Sequence, residues 1–157
     1  MNFSTKGRYG LRAMIDMAVN SAEEAVSISS ISARQHISES YLEQLMAKLK
    51  KAGLIVSIRG AQGGYKLAKP AGEISVGDIL RALEGSLDAV DCPGLKSDAE
   101  SGCTDADFCV AKYVWKRIND SITEAVDEID LAQLVEESRR AQANHQNKEK
   151  DSQERKQ

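Results

Sequence analysis

The chain has 157 residues, 41% of them hydrophobic and 29% charged, enough apolar material for one packed domain and too much for wholesale disorder. No apolar run nears the roughly 20 residues needed to cross a bilayer, and the first eight residues lack the apolar core of a signal peptide, so a cytoplasmic protein without a membrane partner is expected. The formal charge of −3 conceals a sorted distribution: residues 1–70 carry ten Lys/Arg against five Asp/Glu, residues 71–138 five against sixteen, and residues 139–157 six against three. A basic front followed by an acidic middle points to a polyanion at one end of the chain.

The first element expected is a helix on which Leu11, Met14, Ile15, Ala18 and Val19 recur at helical spacing. Lys6, Arg8 and Arg12 lie near its start, where positive charge opposes the helix dipole, so they are assigned to an external anion. A short serine-capped helix follows, with Ile28 and Ile31 on one face, and Ser38 opens another with an apolar stripe of Leu42, Leu45, Met46 and Leu49. Gly53 stands where a left-handed residue would end it. Two short helices joined through His36-Ile37-Ser38 form a helix-turn-helix. The runs on either side of Arg59-Gly60-Ala61-Gln62-Gly63-Gly64 form a β-hairpin, and the combination is a winged helix.

Ser75 caps a further helix with Val76, Ile79, Leu80 and Leu83 on one face, closed by Gly85. Residues 91–107 read as irregular and acidic. From about Phe108 a long helix is expected, its narrow seam formed by Phe108, Ala111, Trp115, Ile118, Ile122, Ala125 and Ile129. A small domain cannot bury that seam alone, so a second copy of the chain is expected against it. Asp130 would cap a short last helix with Leu131, Leu134 and Val135, and beyond Ser138 the polar sequence reads as a disordered tail. The fold expected is thus mainly α with a small β-hairpin. Its parts are a winged helix-turn-helix domain over 1–85, a cysteine-containing loop over 86–109, a dimerisation helix and short C-terminal helix over 110–138, and a tail over 139–157.

Major-groove reading falls to the helix after Ser38. Ser38, Ser40, Tyr41, Glu43, Gln44 and Lys48 are its candidate contacts with double-stranded DNA. Gln44 can pair with adenine, and Glu43 can accept from cytosine while repelling the backbone elsewhere. Arg59 at the wing tip, with Gly60, Gln62 and Gly63, suits a minor groove. A nucleotide-binding loop would need a helix after the glycines, and a strand-like run follows instead. Lys48, Lys50, Lys51, Lys66 and Lys69 would supply nonspecific phosphate contacts, and Lys6 and Arg8 join the candidate DNA contacts. No triad, catalytic acid pair or histidine near a cysteine suggests an enzyme or a small-molecule substrate.

All three cysteines, Cys92, Cys103 and Cys109, fall within 18 residues. The absence of a CxxC pair disfavours zinc, and the wide spacing suits thiolates around an iron–sulfur cluster, with a thiol switch, zinc and inert burial as alternatives. Ser4-Thr5-Lys6-Gly7-Arg8-Tyr9, Ser40-Tyr41-Leu42-Glu43-Gln44-Leu45, the glycine-rich wing and these cysteines resemble the IscR-type iron–sulfur regulators, over about residues 1–138. The resemblance implies a homodimeric DNA-binding repressor with a 2Fe–2S cluster in each subunit, rather than 4Fe–4S, whose occupancy changes the promoters bound and moves Glu43. It implies repression of cluster-assembly genes by the loaded protein. The same fold with another signal, nitric oxide at a 4Fe–4S cluster or cysteine metabolism through a protein partner, is the alternative. Two departures stand out. The first cysteine gap is longer than in the best-known members, and Lys112 occupies the position where they carry a histidine ligand. Lys112 is therefore a candidate fourth ligand, with Asp91, Asp105, Asp107 or His36 as others.

Overall fold

The computed structural model describes residues 3–21, 24–96 and 102–155. Helix α1 (Thr5–Asn20) runs through the centre, and its Ala13, Met14 and Met17 are fully buried. Helices α2 (Ile28–Gln35) and α3 (Glu39–Lys51) pack on it and on each other. His36 ends α2 in the left-handed region, at φ 55° and ψ 44°, which turns the chain sharply enough for Ser38 to begin α3 two residues later. Leu42, Leu45, Met46 and Leu49 of α3 all face the core, as their spacing requires.

Helix α3 ends in a Schellman motif. The Leu54 N–H donates to Leu49 O (3.1 Å) and the Gly53 N–H to Lys50 O (3.0 Å), with Gly53 at φ 76°. The wing follows: β1 (Ile55–Ile58) pairs antiparallel with β2 (Gly64–Leu67) in the register Ile55–Leu67 through Ile58–Gly64. Val26 bridges to the other edge of β2, exchanging two hydrogen bonds with Tyr65 (2.9 and 2.8 Å). A side chain at position 64 would fall on the Val26 carbonyl, so only glycine admits this approach.

Helix α4 (Val76–Glu84) has a reciprocal capping box between Ser75 and Asp78 and buries Val76, Ile79, Leu80 and Leu83. The expected mainly α architecture with a two-stranded hairpin is what the chain adopts. Among the described residues no helix is long and apolar enough to cross a membrane.

Two elements differ from the sequence reading. The long helix, α5 (Ala111–Asp127), starts three residues after Phe108 and stops before Ile129. The N–H groups of both Phe108 and Cys109 converge on Asp105 O, which closes a separate turn, and Phe108 stays outside the helix, 89% exposed. The last helix, α6 (Leu131–Glu154), does not end near Ser138. It continues through most of the stretch read as a disordered tail, whose last two residues lie outside the described ones. Residues 139–155 are all exposed, so burial does not hold that extension. No Gly or Pro interrupts it, Ala, Gln, Glu, Lys and Arg are good helix formers, and ion pairs of Arg139 and Arg140 with Glu136 and Glu137 add local support. The start of α6 is fixed by an Asp130–Gln133 capping box and by a backbone bridge in which Leu131 N donates to Ile74 O (3.0 Å) and Val76 N to Ile129 O (2.8 Å).

Candidate nucleic-acid interface and cysteine loop

The helix-turn-helix is held at its angle by a polar clamp between α1 and α2. Asp16, 5% exposed, accepts two hydrogen bonds at one oxygen and two at the other: Arg34 Nε at 3.2 and 2.9 Å, Arg34 Nη2 at 2.7 Å and Gln35 Nε2 at 2.9 Å. The hydrogen bonds from Arg34 to Asp16 hold the guanidinium above its ordinary pKa. Arg12, assigned from sequence to an external anion, is exposed and also braces α2: its Nη2 donates to Gln35 O (2.7 Å) and its guanidinium lies 5.4 Å over the Tyr9 ring.

On α3, Ser40, Glu43, Gln44 and Lys48 are exposed, so the candidate reading surface faces outward. Ser38 uses its hydroxyl as the helix cap, accepting from Tyr41 N (3.3 Å). Tyr41 is half-buried, its ring edge-on to Tyr9 at 6.1 Å, so it joins α3 to α1. Lys48 and Tyr41 line one cleft with Lys6, which brings the α1 N-terminus beside α3. Arg8, Arg59, Gly60 and Gln62 are exposed, and Gly63 is half-buried. Gly60, at φ 117°, shapes the wing tip, and Gln62 and Gly63 border a separate recess with the first turn of α2. Lys50 Nζ ties α3 to the wing by donating to Ser57 Oγ (2.8 Å).

The cysteine loop leaves α4 at Gly85, and residues 97–101 within it lie outside the described ones. Cys92, Cys103 and Cys109 are all free thiols and half-buried. Cys92 begins a single 3₁₀ turn, Pro93–Leu95, beside Ala106, so the two arms of the loop meet near Gly94. Lys96 pairs with Asp91 at 2.9 Å, and Lys112 Nζ donates to Ala106 O, bracing the arm between Cys103 and Cys109. Lys112 is thus aimed at the loop, but it is engaged with a carbonyl. Among the described residues no three His, Cys, Asp or Glu side chains converge as a ready metal site.

Sequence reasoning missed the residue that hangs this loop on α5. Asn119 is 8% exposed; its Oδ1 accepts from Ala89 N (2.9 Å) and Val90 N (3.3 Å), and its Nδ2 donates to Val90 O (3.1 Å). Its available signal was position, four residues after Trp115 and three before Ile122 on the inward side. Lower on α5, Asp127 forms a bidentate pair with Arg81 of α4 (2.8 and 2.7 Å). Beside this inward face, and sharing Ile122 with it, α5 carries an apolar groove of Val114, Ile118, Ile122 and Ala125, edged by Arg117 and Ser121.

A winged helix with outward basic residues, followed by a thiol-bearing loop, has counterparts of known class. Residues 3–137 match the model of the Rrf2 family, described as an iron-dependent transcriptional regulator. The chain belongs to the Rrf2 family. The HTH-type transcriptional regulator IscR of Cronobacter sakazakii is 43% identical over 135 residues, 86% of this chain and 80% of that protein. IscR of Citrobacter koseri is also 43% identical over 135 residues, with the same shares covered. Among solved structures, T. potens IscR superposes with a TM-score of 0.72 at 47% identity, covering 90% of this chain and 91% of that one. CymR, the global cysteine regulator of B. subtilis, gives 0.70 at 40% identity, with 87% and 97% covered. This Rrf2 protein is a transcriptional regulator of IscR type, and IscR is the better match of the two kinds.

Proposed function

We propose that this protein is a homodimeric, DNA-binding repressor whose promoter choice follows the state of an iron–sulfur cluster, 2Fe–2S, held by Cys92, Cys103 and Cys109. The observation that carries this reading is the confinement of three free, half-buried thiols to one loop, anchored by Asn119 to α5, in a chain of an iron-dependent regulator family. The donor set fits: thiolates are the ordinary ligands of such clusters. Since no three such ligands converge among the described residues, loading would rearrange the thiols within the loop. The fourth ligand is assigned to Lys112 or to a nearby carboxylate; for Lys112 to serve, it must leave Ala106 O and lose its proton.

The groove of Val114, Ile118, Ile122 and Ala125 supports dimerisation, since an apolar stripe at three- and four-residue spacing suits a second copy of the same helix. Ser40, Glu43, Gln44 and Lys48 on α3 would read and hold the major groove, Arg59, Gly60, Gln62 and Gly63 the minor groove, and Lys6 and Arg8 the phosphates. Ser38 and Tyr41 would act through the placement of α3.

Anaerobic purification followed by visible absorption and iron and sulfide assay tests the reading. A coloured protein with about two irons and two sulfides per chain is expected; a colourless protein, or one holding zinc, would overturn it. The likeness to CymR favours one second reading, a regulator of cysteine metabolism. It predicts a colourless protein whose DNA binding is indifferent to iron.

A further inference from the structure

Helix α1 begins without a cap of its own. Ser4, the residue before it, makes no side-chain capping bond, and its first turn holds no acidic residue but does hold Lys6. Four orphan N–H groups and the positive end of the helix dipole would therefore face a cation, an arrangement that frays. The missing acceptor comes from 80 residues away. One oxygen of Glu84, Oε1, accepts from Ser4 N (2.9 Å), Ser4 Oγ (2.7 Å) and Gly7 N (3.0 Å). A side chain at Gly7 would fall on that carboxylate, so the glycine leaves room for it. Glu84 also borders the cleft shared by Lys6, Tyr41 and Lys48.

We propose that Glu84 is a positioning residue for DNA binding: its carboxylate fixes the first turn of α1 so that Lys6 and Arg8 are held beside α3, ready for phosphate. The proposal rests on the reading of this face as a DNA surface. It has an unusual sign. Removing an acid from a DNA-binding face ordinarily tightens binding, because the net charge becomes more positive. Here removal loosens it, because two cations lose their fixed place. Glu84 is also the last residue of α4, followed by Gly85 at φ 84° and then by the loop to Cys92, so the first turn of α1 is tied to the root of the cysteine loop.

The test uses the full-length homodimer, stripped of metal by chelator, and a mixed-sequence DNA duplex, with affinity followed by fluorescence anisotropy across a salt series. Wild-type binding that falls steeply with salt establishes the surface itself; if wild type fails to bind, the DNA reading falls independently of Glu84. Glu84→Ala is expected to bind about tenfold or more weakly at low salt, with the slope of log K against log salt reduced by about one to two, the equivalent of one or two phosphates. Glu84→Gln, which keeps an acceptor oxygen, should stay close to wild type. Gly7→Ala keeps every charge and favours helix, yet displaces the carboxylate; it should weaken binding as Glu84→Ala does. In a Lys6→Ala background, Glu84→Ala should cost much less. Equal or tighter binding by Glu84→Ala and Gly7→Ala, with an unchanged slope, would overturn the proposal. Should Glu84→Ala fail to fold by circular dichroism, Gly7→Ala alone decides.

Discussion

Replacing Asn119 with alanine removes the side chain that pins the Ala89–Val90 backbone to α5. Three hydrogen bonds are lost, each worth about 0.5–1.5 kcal/mol net when water replaces it. Ala89 and Val90 are half-buried, so water can reach the freed groups and the full desolvation penalty does not apply. The local cost is then about 1.5–4.5 kcal/mol, which raises the open population of this segment by about ten- to about two-thousand-fold. Amide hydrogen exchange reads this directly: the Ala89 and Val90 amides should exchange faster by that factor while the buried amides of α3 keep their protection. Asn119→Asp keeps the acceptor and loses the donor, and should fall between. Wild-type exchange at Ala89 and Val90 in Asn119→Ala would refute the view that this amide holds the loop. Since Cys92 follows Val90 by two residues, the same variant should surrender its cluster to a chelator faster.

The hydrogen bond from Arg81 holds the Asp127 carboxyl below its ordinary pKa, so this pair stabilises the fold above the usual carboxylate range, and the gain is lost as pH falls through the depressed value. Asp127→Asn should therefore lower the urea midpoint at neutral pH and flatten its decline between about pH 5 and about pH 2; an unchanged acid limb would show the pair to be inert. Ile118→Asp places a charge in the exposed apolar groove of α5 and should yield monomers by sedimentation with the winged domain still folded. Deleting residues 139–157 should remove helical dichroism for about fifteen residues yet shift Tm by less than about 2 °C, because the extension of α6 is wholly exposed.

The winged domain was legible because its signals are local. Ser38, Gly53, Ser75 and Gly85 mark helix ends through their own backbone chemistry, and the stripe from Leu42 to Leu49 gives both the helix and its buried face. The α6 extension was not legible because polarity without a buried face reads as disorder, whereas here propensity and short-range ion pairs favour helix. Glu84 and Asn119 were illegible for a different reason. Each joins backbone groups to a side chain about 30 to 80 residues away, and no periodicity or spacing announces such a partner. The basic residues at the start of α1 show both cases at once: Lys6, Arg8 and Arg12 are all exposed, as their charge suggests, but the brace from Arg12 to Gln35 of α2 had no local signal. The cysteines were legible as a set, but their arrangement depends on a loop that the sequence leaves irregular.

The central claim is that cluster state selects the DNA bound. One preparation of wild-type protein, divided into a cluster-loaded half and a chelator-stripped half, should be used to enrich fragments of the source genome under identical salt. The account predicts two overlapping but distinct sets of enriched sites, with Glu43→Ala allowing the stripped protein onto sites otherwise kept for the loaded form. Identical sets from the two halves would contradict it.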